Sequence, residues 1–308
     1  MSRIHEALKK AAQERSSQVA AGTLPDLADV APGFESPSAF ITQVGEPAAR
    51  TARTSQGSSF LSFDDLLKRC AHPSWHLDPR MNVFLKPHNG RIGGERFRTL
   101  RSRLYQIAGT RPLKRVLVTS SVPAEGKTTV AANLAHSIMR QPDRRVLLID
   151  ADLRASRMHQ LLGAPGGPGL SDYLRGEADE CAVIQNGSEG NLCLIPSGSE
   201  VSNPSELLLG DRMKKLLDLV TPVFDWIILD SPPALAVHDA SSLADLCDGV
   251  LFVVKAGETD CRLAERASSE FLKKHLLGVV LNGVEKDASY GGYYTGYANR
   301  DQEDDDRK

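Results

Sequence analysis

From residue 115 onward, short unbroken apolar runs alternate with segments of helical period. Val116-Leu117-Val118, Val146-Leu147-Leu148-Ile149, Leu192-Cys193-Leu194-Ile195, Trp226-Ile227-Ile228-Leu229, Val250-Leu251-Phe252-Val253-Val254 and Gly278-Val279-Val280-Leu281 read as strands buried on both faces. Between them, helices are expected over 130–135, 156–162, 170–175, 204–219, 240–246 and 261–275. Asn203 is the expected cap of the fourth, with Pro204 at its first position. Unbroken strands alternating with helices predict an α/β fold, a mostly parallel twisted sheet covered by helices on both faces. Ligands of such a sheet sit at the carboxyl ends of its strands.

The N-terminal third is organised differently. Residues 1–15 carry Ile4, Ala7, Leu8 and Ala11 on one side of an amphipathic helix, which is either a terminal helix or a docking peptide for a partner or an anionic surface. Residues 16–71 form a linker rich in Ala, Ser, Thr, Gly and Pro, expected to be disordered, although Phe63, Leu66 and Leu67 restore a helical pattern near its end. The folded unit is expected to span 72–287, followed by a flexible tail over 288–308. Within that unit, residues 91–107 make a helix with Phe97, Leu100, Leu104 and Ile107 as its buried stripe. Glu95, Arg98 and Arg101 recur at every third position of it, within roughly a 120° arc beside the stripe, where they could meet a neighbouring subunit or face solvent.

Composition narrows the classes. A net charge of −2 gives no global pull toward nucleic acid. The five cysteines are scattered and never spaced as C-x-x-C, so they read as free thiols of a reducing cytoplasm without a zinc site. Apolar runs are strand-sized, and no leader or membrane span is expected.

The chemistry gathers at three strand ends. Ser121-Val122-Pro123-Ala124-Glu125-Gly126-Lys127-Thr128-Thr129 lies between the first strand and a helix. A strand, a loop closing on Gly-Lys-Thr and a helix N-terminus make a phosphate cradle of backbone N–H groups, with Ser121 in place of the usual first glycine. Residues Pro123 to Thr129 would line a nucleotide, Lys127 would reach the β- and γ-phosphates, and the Thr128 hydroxyl suits Mg²⁺. Asp150 and Asp152 follow the second strand of the series and Asp230 follows the fourth, on the same rim. Three carboxylates beside Gly-Lys-Thr are what Mg²⁺-assisted phosphoryl transfer needs.

The stretch from about Arg91 to Tyr297 resembles the bacterial tyrosine kinases of the CpsD/CapB/Wzc type, whose fold is that of the MinD-like P-loop ATPases. The phosphate loop looks like their Walker A motif, Leu-Leu-Ile-Asp-Ala-Asp-Leu-Arg like Walker A′ and Ile-Ile-Leu-Asp-Ser-Pro-Pro like Walker B; Glu95, Arg98 and Arg101 match an oligomerisation motif. Ala124 and Ser156 depart from the family's more frequent Gly and Pro. Residues 121–125 lack the lysine of MinD and ParA relatives. Tyr290, Tyr293, Tyr294 and Tyr297 resemble the family's autophosphorylated cluster; ten extended residues beyond Asp287 would reach ~34 Å. The resemblance implies ATP as phosphoryl donor and an autokinase that modifies its own tail in trans within a ring-like homo-oligomer. It further implies a separate transmembrane polysaccharide co-polymerase or adaptor, a tyrosine phosphatase, a cytoplasmic place at the inner face of the plasma membrane, and a role in capsular or exopolysaccharide biosynthesis. Asp152 and Asp230 would hold Mg²⁺ and Asp150 would take the tyrosine proton, or the two acids of the second motif would exchange roles. Asn282 would contact adenine or simply form a turn. The alternative function is a MinD/ParA-like ATPase switch without kinase activity.

Overall fold

The computed structural model describes residues 62–79, 81–85, 90–187 and 190–284. The expected helix over 1–15, most of the linker and the tail with Tyr290, Tyr293, Tyr294 and Tyr297 lie outside these residues. The elements run α1 (Phe63–Arg69), α2 (Gly90–Ala108), β1 (Arg115–Ser120), α3 (Lys127–Met139), β2 (Val146–Asp150), α4 (Met158–Leu162), α5 (Leu170–Arg175), α6 (Glu180–Val183), β3 (Gln185–Asn186) and β4 (Leu192–Ile195). They continue with α7 (Pro204–Leu209), α8 (Asp211–Val220), β5 (Trp226–Asp230), α9 (Asp239–Ala244), β6 (Gly249–Lys255), α10 (Cys261–Ser269) and β7 (Leu276–Asn282).

The seven strands form one sheet in the order β3-β4-β2-β5-β1-β6-β7. All neighbours are parallel except β3, which runs antiparallel to β4. Because side chains alternate along a strand, β1, β2, β4, β5 and β6 each feed two cores; at the edge strand β7, Val279 and Leu281, expected to be buried on both faces, are instead 52% and 55% exposed because no strand or helix among the described residues covers that side. Leu117, Leu147, Ile149, Ile227, Leu229 and Phe252 join the helices α1, α5, α8 and α9 on one face. Val116, Val118, Leu148, Ile228, Leu251 and Val253 join α3 and α4 on the other, with Leu104 of α2 packed outside α3. Double coverage explains why these strands carry no polar alternation.

Several elements differ from the sequence expectation. Phe63 and Leu66 are buried in the first core, so packing begins N-terminal to the boundary expected at residue 72. Ser62 caps α1 by accepting the Asp65 amide at 3.1 Å. The helix expected over 204–219 is two helices, because Gly210 is extended (ψ 155°) and serves as the end of α7 and the start of α8. The last long helix stops at Ser269 and reaches β7 through turns. The strand β3 and the single turn α6 were not expected, since neither carries an apolar period.

Topology sets the rim. With β1 between β5 and β6, and β2 beside β5, the carboxyl ends of β1, β2 and β5 are adjacent. Asp150 and Asp230 stand directly opposite each other in the β2–β5 register.

Candidate active site

The phosphate loop is the connection from β1 to α3. Gly126 adopts φ +87°, a left-handed turn that glycine makes without steric cost, and a Cβ there would stand 2.1 Å from Asn282 Nδ2. Ala124 is also left-handed, at φ +66°. The loop is fastened to the segment after β5: the Ala234 amide donates to the Ser120 carbonyl at 2.8 Å and the Leu235 amide to the Ser121 carbonyl at 3.2 Å. Thr119 Oγ1 adds a bond to the Pro232 carbonyl at 3.0 Å. Three hydrogen bonds therefore join two motifs more than a hundred residues apart.

Lys127, at the first position of α3, reaches across to Asp152, with Nζ 2.7 Å from Oδ2. The other Asp152 oxygen accepts the Ala155 amide at 3.1 Å. Asp150 is fully buried and accepts the amides of Asp152 at 3.3 Å and Met158 at 3.2 Å. Asp230 is also buried, and neither of its oxygens has a well-formed hydrogen bond among the described residues. Burial first, and then the Asp230 charge, push the Asp150 carboxyl up to about 8. Burial raises Asp230 to about 6, against the pull of the Lys127 charge and the nearby Thr128 hydroxyl. Burial disfavours the Lys127 ammonium, but Asp230 and Asp152 outweigh it and hold its pKa above the ordinary value.

This donor set suits a hard divalent cation. Asp230 offers two oxygens without a well-formed hydrogen bond among the described residues, the Thr128 hydroxyl lies beside it, and Asp152 is the third oxygen source. Among the described residues no three His, Cys, Asp or Glu side chains are grouped so as to hold a metal ion by themselves; Mg²⁺ commonly binds through one or two carboxylates together with substrate phosphates and water.

The remaining expected site residues are placed as follows. Asn282, ending β7, donates one Nδ2 hydrogen to the Glu125 carbonyl at 2.9 Å, so it touches the loop and keeps its second N–H and its Oδ1 to meet a base. Glu95 and Arg98 pair with each other on α2, and Arg101 donates to the Ser137 carbonyl of α3; none of the three joins the carboxylates. Sequence reasoning missed two polar clusters. Arg154 Nε donates to Asp239 Oδ2 at 2.9 Å and its terminal nitrogen to Ser205 Oγ at 2.8 Å, while Ser205 donates to Asp239 Oδ1 at 2.5 Å. This ties the loop after β2 to α9 and α7. The second cluster joins Glu125 to Thr259.

A Gly-Lys-Thr loop at a helix start, with aspartates closing the two neighbouring parallel strands, defines a P-loop nucleoside-triphosphate site. The AAA domain family model matches residues 123–261. Tyrosine-protein kinase YwqD of Bacillus subtilis is 35% identical over 218 residues, 70% of this chain and 92% of that protein. Tyrosine-protein kinase CpsD of Streptococcus agalactiae is 35% identical over 211 residues, 68% of this chain and 91% of its own. The kinase domain of the Escherichia coli tyrosine kinase ETK superposes with a TM-score of 0.60 at 34% identity, covering 63% of this chain and 77% of that one. The chain belongs to the bacterial tyrosine-protein kinases.

Proposed function

We propose that the protein is an ATP-dependent protein-tyrosine autokinase that phosphorylates Tyr290, Tyr293, Tyr294 and Tyr297 of a neighbouring copy. The observation that carries the reading is the convergence of Lys127, Asp150, Asp152 and Asp230 at one rim beside the phosphate loop. Family membership and the tyrosine cluster support a protein substrate.

In the structure Lys127 is held by Asp152. When a triphosphate enters, that ammonium exchanges one anion for another and stabilises the charge that develops on the transferring group. The loop amides and the start of α3 do the same for the inner phosphates. Mg²⁺, held by Thr128, Asp152 and Asp230, would supply further charge neutralisation across the phosphates. Asp150 takes the tyrosine proton. Only its carboxylate form can do so, and the position of Asp150 at the end of β2, directly opposite Asp230, is what suits it to the role.

Transfer in trans calls for contact between copies, for which Glu95, Arg98 and Arg101 on α2 are the proposed surface. Multiple phosphates would add roughly −1.5 to −2 charges each to the tail and favour its release by repulsion. A tyrosine phosphatase would reset the cycle. No helix among the described residues is long and apolar enough to cross a membrane. The reading places the protein in the cytoplasm at the inner membrane face, linked to the membrane by a separate transmembrane polysaccharide co-polymerase or adaptor or by its N-terminal segment. The process served is capsular or exopolysaccharide biosynthesis.

Mass spectrometry of the purified chain after incubation with Mg-ATP tests the proposal. Phosphate on the four tail tyrosines is expected; ADP production with an unmodified tail would overturn it and favour an ATPase switch.

A further inference from the structure

The phosphate loop contains an acid of its own. Glu125 is buried, immediately before Gly126, in a loop that must receive a polyanion. A carboxylate in that position opposes phosphate by Coulomb repulsion, so its presence calls for a compensating role. No lysine or arginine pairs with it among the described residues; Lys255, whose backbone amide faces it, has its ammonium engaged with Glu258 at 2.8 Å.

The bonds of Glu125 define that role. Oε2 accepts the Val122 amide at 2.8 Å, which closes the loop on itself. Oε1 accepts the Thr259 hydroxyl at 2.5 Å and, at 3.4 Å, the Lys255 amide. Both donors belong to the end of β6 and the turn before α10. The Glu125 carbonyl takes the Asn282 side-chain N–H, while the Asn282 carbonyl takes the Ala256 amide at 2.8 Å. Thus one residue joins the loop after β1 to the ends of both β6 and β7. Without these bonds the loop would be held only by β1, α3 and the segment after β5.

We propose that Glu125 is a positioning residue of the phosphate loop, acting through Thr259, which preforms the cradle before nucleotide arrives. A preformed loop has less ordering to do on binding, and that entropy appears as affinity. The inference rests on the nucleotide-binding reading of this site but not on the identity of the phosphoryl acceptor.

The test is ADP binding to the full chain by isothermal titration calorimetry, with thermal unfolding of the same preparations. Thr259→Val keeps the shape and removes the donor, and is expected to weaken ADP about tenfold, the effect of losing one hydrogen bond to a charged group. Thr259→Ser restores the hydroxyl and should restore binding. Glu125→Ala should match or exceed the Thr259→Val loss. Glu125→Gln keeps an acceptor for Val122 and can donate to Thr259, but sets an N–H against the Lys255 amide, so its loss of ADP affinity should be smaller than that of Glu125→Ala. In the Glu125→Ala/Thr259→Val double variant the losses should not add. Unchanged ADP affinity in folded Thr259→Val, additive losses in the double variant, or a Glu125→Gln defect equal to that of Glu125→Ala would each overturn the proposal. The Thr259 pair decides it even where Glu125→Ala does not fold. A purely structural role would lower the unfolding temperature without a matching change in affinity. Failure of wild-type protein to bind ADP would instead refute the nucleotide site itself.

Discussion

Asp230→Asn should stabilise the nucleotide-free protein while abolishing its activity. Asp230 is buried, neither of its oxygens has a well-formed hydrogen bond among the described residues, and it faces Asp150 across the β2–β5 register. Its pKa rises from 3.8 to about 6. A carboxyl with a raised folded pKa binds its proton more tightly when folded, so ionisation favours the unfolded chain. The penalty is absent below the unfolded value of 3.8, grows up to about 6 and is full above it. A rise of that size corresponds to about 3 kcal/mol at pH 7.5, and the same linkage leaves only about 1 kcal/mol at pH 4.5. For a folded unit of this size each kcal/mol moves the midpoint by about 2–4 °C. Denaturation of wild type and Asp230→Asn across this pH range measures the gap, with m-values as a check that the unfolding reaction is unchanged. The variant should be the more stable at pH 7.5, and its advantage should shrink toward pH 4.5. Mg-ADP should stabilise wild type and do much less for the variant. A variant less stable than wild type at pH 7.5, or a difference independent of pH, would refute the claim that burial of the Asp230 charge outweighs the help it receives from Lys127 and Thr128 in the nucleotide-free state.

Leu66→Ala should cost about 2–5 kcal/mol in chemical denaturation, because Leu66 is fully buried in the core below the sheet; a neutral result would show that α1 is dispensable. Gly126→Ala should fold yet lose ADP binding in a calorimetric titration, since the left-handed turn costs roughly 1–2 kcal/mol and the new methyl would displace Asn282. Arg154→Ala leaves the buried Asp239 with Ser205 alone and should destabilise by about 1–3 kcal/mol, checked by thermal unfolding.

The sheet was legible because double burial leaves its mark on the central strands: Val146 to Ile149 and Ile227 to Leu229 contain no polar residue. Those same runs end in Asp150 and Asp230, so the rim carboxylates were legible as well. Helix breaks were less so. Gly210 sits inside an amphipathic pattern that continues on both sides, and only its extended backbone separates α7 from α8. The start of the folded unit escapes a sequence reading because Phe63 and Leu66 follow a long polar linker, and whether two apolar residues find a core depends on packing far along the chain. The polar ties were invisible for the same reason. Glu125 and Thr259 are 134 positions apart, and Arg154 lies 85 positions from Asp239; hydrogen bonds at such separations leave no period in a sequence. Asn282 is recognisable as a site residue, but its bond to the loop is not.

The central claim is that the Lys127 rim transfers phosphate to tyrosine. Wild-type and Lys127→Met chains, purified in parallel and stripped of phosphate, should be incubated separately with Mg-ATP and mapped by mass spectrometry, with circular dichroism confirming that both are folded. The account predicts phosphate on Tyr290, Tyr293, Tyr294 or Tyr297 in the wild type and none in the variant. Tail phosphorylation that persists in purified Lys127→Met would contradict it.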